Sequence, residues 1–374
     1  MSFDITSPKI THCGAGAFSK TAVEAARVGR KAIVVTGEHL HGSKLIDTLA
    51  DQLFGLKSDC LVADPIKHEP TIEMVDALAE QARQFSADVI IAVGGGSVMD
   101  TAKAAAVMAT NDGYTEDYQL KRREIVNPPI AQVFAPTTAG TGSEATRVSV
   151  LTNEHLQIKR SISDPMMTPD IVILDPELTV SLPRYFTTLT AMDAFSHAIE
   201  SAVSRKSTAY TRHIALASIQ ELCNGLPESQ NDPDNLDARL ACLLGSYLAG
   251  LAMQMGLGAS HSLAPAICIV AGIRHSEAVA ALLPHVIRLN ERLLPGTYNE
   301  VKNAMGCDDV AFRLIELCKA AGFSSNLAQF GLKESDWSGI CEAMNRYGSH
   351  RITNPVEVTD DFAKELFFSA LDGQ

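Results

Sequence analysis

The chain has 374 residues, 46% of them hydrophobic, which is material for two domains with proper cores. Its 31 basic and 44 acidic residues leave a formal charge of −13, with no basic run to offset it, arguing against nucleic acid or an anionic membrane as partner. The start, MSFDITSPKITHCG, lacks the marks of a signal or transit peptide, no apolar stretch reads as a bilayer span, and the eight cysteines form no C-x-x-C pair, so a cytoplasmic protein with reduced thiols is expected.

The first strong element in chain order is the apolar run Ala32 to Val35, followed closely by Gly37 and a loop carrying His39 and His41, both read as solvent-exposed. Val89 to Val93 is a β-branched run of the kind buried in a parallel sheet. It stops at Gly94, Gly95 and Gly96, and Ser97 opens an amphipathic helix with Asp100 and Lys103 in its early turns. Glycines let the backbone approach an anion, and the amides at a helix start supply donors and a positive dipole end, so this turn has the physics of a pyrophosphate cradle. A tight turn with no ligand is the competing reading. Lys121-Arg122-Arg123 reads as a solvated loop or helix end.

Val133, Phe134 and Ala135 lead into Pro136-Thr137-Thr138 and the turn Gly140-Thr141-Gly142-Ser143, whose hydroxyls and amides can line a nucleotide; a polar surface hairpin is the plainer alternative. Arg147, beyond it, could recognise an anionic substrate, although an ion pair on a strand is the commoner outcome. After the run Ile171 to Leu174, helical patterns dominate, broken at 224 to 235 and 293 to 299.

In TAMDAFSHAIES, Met192, Phe195, Ala198 and Ile199 recur at helical intervals, so Asp193 and His197, four apart, share one face of a helix. A lone D-x-x-x-H is more often a surface pair than a metal site. Here, however, His261 and His275 follow, fourteen residues apart, on what read as two neighbouring helices or a helix and its connection. Three imidazoles and a carboxylate make a closed ligand set that favours Fe(II) or Zn(II) over Mg(II) or Ca(II). His285, after Pro284, reads as a packing or capping residue.

Taken together, HEPT (68–71), GGGSVMDTAKA, PTTAGTGSEAT, TPDIVILDPELTVSLP (168–183), DAFSHAIES, the His261 segment and HSEAVAALLPHVIRLN resemble the successive signatures of the iron-containing (group III) alcohol dehydrogenases, over most of the chain. The resemblance implies a dehydroquinate synthase-like fold: an α/β N-terminal dinucleotide-binding domain, placed here at 1–182, and an all-α C-terminal metal-binding domain at 183–374, with the active site in the cleft between and a homodimer or larger homo-oligomer. It implies an NAD(P)-linked alcohol dehydrogenase or aldehyde reductase acting through Fe2+, or Zn2+, held by Asp193, His197, His261 and His275. It puts the cofactor on Gly94, Gly95, Gly96, Ser97 and Asp100, with Thr137, Thr138, Thr141 and Lys159 as further contacts. The substrate implied is a small alcohol or aldehyde, and Arg147 would suit one bearing a phosphonate, sulfonate or carboxylate.

Three departures from the family pattern stand out. Many members carry a histidine four residues after the third metal ligand, often discussed as a proton relay; here that position is Pro265. Where many have His-Gly, this chain reads HSEA, and Glu277 resembles the maleylacetate reductase branch at that point. Where NAD-preferring members often have an Asp after the second strand, this chain has Gly37, which removes a carboxylate that would repel a 2′-phosphate; with Ser43 and Lys44 nearby, NADP is favoured over NAD. The alternatives are a dehydroquinate synthase-like lyase, a maleylacetate-reductase-type enzyme, or a nucleotide-binding protein without catalysis.

Overall fold

The computed structural model describes residues 3–156, 158–347 and 350–373. They fall into two compact units: the chain up to Thr138 together with Gly142–Val180, and Ala139–Thr141 together with the chain from Ser181.

The first unit is built on eight strands, β1 (Ile10–Cys13), β2 (Lys31–Thr36), β3 (Asp59–Val62), β4 (Val89–Gly94), β5 (Ala131–Pro136), β6 (Val148–Asn153), β7 (Ile158–Ser163) and β8 (Ile171–Leu174). Its helices are α1 (Thr21–Val28), α2 (Lys44–Gly55), α3 (Ile72–Phe85), α4 (Gly96–Met108) and the short α5 (Thr115–Gln119). Six strands form one parallel sheet in the order β1-β8-β5-β4-β2-β3, and β6 and β7 pair as a separate antiparallel hairpin. The apolar runs need no polar alternation because both faces are covered. Ile33, Val35, Ile90, Ala92 and Phe134 pack with α3 and α4 residues such as Val75, Leu78 and Ala102. The intervening Ala32, Val34, Val89, Ile91 and Val133 pack with Ala22 and Ala25 of α1 and Ile46, Leu49 and Leu53 of α2. This is the period-2 division of a strand between two cores.

The second unit is helical: α6 (Arg184–Val203), α7 (Ala209–Asn231), α8 (Leu236–Ala252), α9 (Ala259–Ala271), α10 (His275–Leu293), α11 (Asn299–Met305), α12 (Val310–Ala320), α13 (Trp337–Tyr347) and α14 (Asp360–Asp372). Residues on every side of α6 are buried, so it is the central helix and carries no exposed polar face. The helices α7 and α8 approach closely because Gly225 and Gly245 sit at their contact: a Cβ on Gly225 would lie 2.6 Å from the Ala238 carbonyl oxygen.

Two expectations are corrected here. The predicted break at 224–235 begins too early, since α7 continues to Asn231 with Pro227 inside it; packing against α8 outweighs the lost amide. The reading that no segment could span a bilayer also fails by length and composition, because Leu236–Met255 meets both measures. Most of that segment is buried, and α8 packs on α6 and α7, which is the setting of a core helix.

Candidate active site

The D-x-x-x-H pair sits in the middle of α6, with Asp193 and His197 one turn apart and both buried. His261 is the third residue of α9 and His275 the first of α10. The carboxylate of Asp193 is the common point: its Oδ1 lies 3.8 Å from His197 Nε2, 3.9 Å from His261 Nε2 and 3.9 Å from His275 Nε2. Donor atoms of Asp193, His261 and His275 all fall within 4.8 Å of one another. The rings of His197 and His261 stack at 4.7 Å, and those of His261 and His275 tilt at 5.3 Å.

Nitrogens facing one carboxylate oxygen at nearly 4 Å are too far for hydrogen bonds, yet at a distance that one cation between them would bridge. The Nε2 of His261 is buried and makes no hydrogen bond among the described residues, which would cost free energy in a site built only for packing. Three imidazole nitrogens and a carboxylate oxygen fit a borderline divalent cation such as Fe(II) or Zn(II).

The sequence reading did not find Glu200, on the same face of α6 one turn beyond His197. It is 2% exposed and fully used: Oε2 accepts from the Gly258 amide at 2.8 Å and pairs with His261 Nδ1 at 2.7 Å, while Oε1 accepts from the Ser260 amide at 2.7 Å. These amides lie at the start of α9, so one carboxylate fixes both the helix entry and the ring of His261. With Nδ1 protonated toward Glu200, the lone pair of His261 is left on Nε2, facing Asp193. Burial pushes Glu200 up, but the His261 ring and the two amides hold it below the usual carboxylate range. Burial likewise pulls His261 down, and Glu200 more than reverses it, whereas burial dominates at His197 and lowers it.

Glu277 has a structural task. It is the N3 residue of α10, accepting from the Arg274 amide at 3.0 Å and from Tyr185 Oη at 3.2 Å. The carboxylate thereby caps the helix whose first residue is His275. His285 is buried between Ser369 Oγ and the Ser325 carbonyl, as a packing residue. His39 and His41 are exposed, and Arg122 and Arg123 are exposed and paired with Glu116 and Asp117.

In the α/β unit, the glycine turn joins β4 to α4: Gly94 ends the strand, Gly95 is the N-cap in an extended conformation, and Gly96 starts the helix one residue before the predicted Ser97. A Cβ on Gly94 would lie 2.5 Å from Val98 Cγ2. Thr137 and Thr138 follow the neighbouring strand β5, with the Thr137 amide bonded to the Gly94 carbonyl, and Gly37 follows β2 on the other side. All lie at the carboxyl ends of adjacent parallel strands, where open α/β sheets take ligands. Thr141 belongs to the helical unit.

Two of the residues assigned to the cofactor are turned to protein partners. Asp100 accepts from Ser143 Oγ at 2.5 Å and from the Val150 amide at 2.9 Å, and loss of water raises its pKa. Lys159 pairs with Glu69 Oε2 at 2.5 Å. The Gly-Thr-Gly-Ser stretch is not a surface hairpin, because Gly140, Gly142 and Ser143 are buried and Thr141 is half-buried, and residues 144–146 after it are buried too. Lys103, fully buried, holds them from below through the carbonyls of Ser143 and Val148 at 2.7 Å and the hydroxyls of Ser143 and Thr146 at 3.1 and 3.0 Å. Burial brings its pKa down to about 8.

The family model described as iron-containing alcohol dehydrogenase matches residues 8–176, and that of the C-terminal region of the Fe-containing alcohol dehydrogenase family matches 187–371. The chain belongs to the iron-containing alcohol dehydrogenase family. Among its relatives, an NAD-dependent methanol dehydrogenase of Bacillus methanolicus is 31% identical over 88% of this chain and 90% of that protein. Long-chain-alcohol dehydrogenase 1 of Geobacillus thermodenitrificans is 32% identical over 99% and 97%. The crystal structure of a sulfoacetaldehyde reductase from Bifidobacterium kashiwanohense in complex with NAD+ superimposes with a TM-score of 0.91 at 30% identity, covering 99% of each chain. The α/β unit with its parallel sheet and the helical unit are those of the iron-containing alcohol dehydrogenases.

Proposed function

We propose that the protein is a metal-dependent, nicotinamide-linked alcohol dehydrogenase working on a small aldehyde or alcohol, with Asp193, His197, His261 and His275 holding the metal. The observation that carries this is the convergence of three imidazole Nε2 atoms on Asp193 Oδ1, with His261 Nε2 buried and unbonded. A divalent cation there would polarise a carbonyl oxygen in reduction and lower the pKa of an alcohol in oxidation.

The chain's own residues supply the rest. Asp193 offsets the charge of the cation, Glu200 fixes the tautomer of His261, and Glu277 fixes the helix end bearing His275. Burial of Asp193, His197 and His261 keeps bulk water from their donor atoms. Gly94, Gly95, Gly96 and Ser97 would present the amides of α4 to the pyrophosphate, with Thr137, Thr138 and Thr141 on the nucleotide. Asp100 and Lys159 act through the loop partners described above. The cofactor reading favours NADP, supported by Gly37 and by Ser43, the N-cap of α2, with Lys44 beginning that helix. Relatives named as a methanol dehydrogenase and a sulfoacetaldehyde reductase support a small polar substrate, and Arg147, half-buried and without an ion pair among the described residues, supports an anionic one.

The test is an anaerobic screen of metal-stripped protein restored separately with Fe(II) and Zn(II), reading NADPH and NADH oxidation with plain, hydroxylated, phosphonate- and sulfonate-bearing aldehydes. Turnover that needs the metal and is lost in His261→Ala is the expected outcome. Cofactor binding without turnover for any pair would overturn it.

A further inference from the structure

The entry of α9 is held from outside the helix. Its N-cap is Gly258, which has no side chain to cap with, and the first amides of a helix have no partners within it. Yet four successive amides, those of residues 257–260, are each taken by a side chain distant in sequence. Glu200 takes Gly258 and Ser260, as described above; Asn354 Oδ1 takes Ala259, between them, at 3.2 Å, and His350 Nδ1 takes Leu257 at 3.2 Å. His261 is the next residue, so its ring is carried by the turn that these bonds fix.

Asn354 is buried, and its whole amide is engaged. Its Nδ2 donates to Asn290 Oδ1 at 2.8 Å and to the Val356 carbonyl at 2.6 Å, and Asn290 Nδ2 donates back to Asn354 Oδ1 at 3.2 Å. Only one orientation satisfies this set, because turning the amide over would aim Nδ2 at the Ala259 N–H and Oδ1 at the Val356 carbonyl. Asn290, on α10, is buried in its turn and donates to Tyr298 Oη at 2.9 Å. The preceding residue, Thr353, donates from its hydroxyl to the Leu257 carbonyl at 2.6 Å, and its own carbonyl accepts from the Arg205 amide, two residues past the end of α6, at 2.8 Å. Thr353 and Asn354 therefore bond to the end of α6, the start of α9 and the body of α10, the three helices that bear Asp193 and His197, His261, and His275.

Two glycines make room for this segment. A Cβ on Gly258 would lie 2.8 Å from Asn354 Oδ1 and 3.0 Å from Glu200 Cδ, and one on Gly256, at φ 106°, would lie 2.9 Å from Thr353 Cγ2. A chain that needed only to begin a helix would carry Ser, Thr, Asp or Asn at the N-cap.

We infer that Asn354 is a positioning residue of the metal centre, which holds His261 in place through the Ala259 amide, with Thr353 fixing the turn before it. This deepens the proposed function and rests on Asp193, His197, His261 and His275 being metal ligands. A buried polar network with its members satisfied fixes one arrangement of the elements it joins, and here those elements carry the ligands.

Asn354→Ala leaves the Ala259 amide and the Asn290 side chain without this partner, and Thr353→Val removes one hydroxyl while keeping the shape of the side chain. Stripped full-length protein is titrated with Co(II) against a competing chelator. Affinity should fall about tenfold in Asn354→Ala and about threefold in Thr353→Val, at and below the low end of the range for groups that orient metal ligands. The visible bands of bound Co(II), which report the geometry of its ligands, should move in Asn354→Ala. Leu314→Ala opens a cavity in the buried face of α12 and breaks none of these bonds. It separates positioning from general stability: with its urea midpoint lowered, it should keep the wild-type bands and an affinity within about twofold. Unchanged affinity and bands in Asn354→Ala, or unchanged affinity in Thr353→Val where the first variant does not fold, would overturn the inference. So would an equal fall in Leu314→Ala. A wild type that binds no Co(II) would overturn the proposed metal site instead, and the role of Asn354 with it.

Discussion

Glu200→Gln is the sharpest probe of how the site is built. The carboxylate makes three short bonds, at 2.8 Å to the Gly258 amide and 2.7 Å to both the Ser260 amide and His261 Nδ1. An amide of the same shape has one accepting oxygen. If that oxygen keeps Gly258 and His261, the NH2 group meets the Ser260 N–H; if it turns to Ser260, the NH2 group meets Gly258 N–H and donates to His261 Nδ1. The second arrangement reverses the tautomer and puts the proton on Nε2, the atom needed for the metal. Either way at least one charge-assisted bond goes and a buried donor is orphaned, about 2–4 kcal/mol of stability. Metal affinity should fall by about 10- to 100-fold, as for other residues that orient a metal-binding histidine. Chelator competition on stripped protein gives the affinity, and urea unfolding of the metal-free form gives the stability. An affinity within threefold of wild type, with stability changed by less than about 0.5 kcal/mol, would refute the reasoning.

Glu144, buried and pushed by desolvation up to about 7, keeps its proton in the folded chain where the unfolded chain has lost it. Its contribution is thus present below the ordinary value of 4.5 and lost as pH rises through 7. Glu144→Gln should gain roughly 2–3 kcal/mol on wild type between pH 5 and pH 8, and a pH-independent difference in urea midpoints would count against this. Gly94→Ala places a methyl 2.5 Å from Val98 Cγ2 at the start of α4; a loss of about 1–3 kcal/mol and tenfold weaker nicotinamide binding by fluorescence titration are expected. Gly225→Ala meets backbone atoms of α8 at 2.6 and 2.8 Å, so α7 and α8 must part. Its thermal unfolding should show a loss near the upper end of overpacking costs, about 3 kcal/mol.

What could be read from the sequence was mostly local. Ile171 to Leu174 is a strand with the bounds its residues suggested, and the other apolar runs extend by only one to three residues, because buried parallel strands announce themselves by composition. Asp193 and His197 share a face because a helix repeats every 3.6 residues, so that part of the site followed from spacing alone. Glu200 obeys the same spacing and could have been found as a carboxylate one turn past a candidate ligand on an apolar helix. Lys103 left a similar trace, a lysine amid alanines on a helix with no wet face. By contrast, His350 meets Leu257 across more than ninety residues, and no periodicity links the two. Nor does any periodicity show the contacts of Asp100 with Ser143 and Val150, which are set by how the hairpin folds back on α4.

The central claim is that these residues hold a metal on which hydride transfer to a carbonyl depends. The most direct measurement is transfer of deuterium from 4-deuterated reduced nicotinamide to the carbinol carbon of the product, followed by mass spectrometry in metal-loaded wild type, stripped wild type and Asp193→Asn. The account predicts label in the product only for the loaded wild type, with one metal bound per chain. Equal labelling by the stripped protein, or a full metal complement in a variant that cannot transfer, would contradict it.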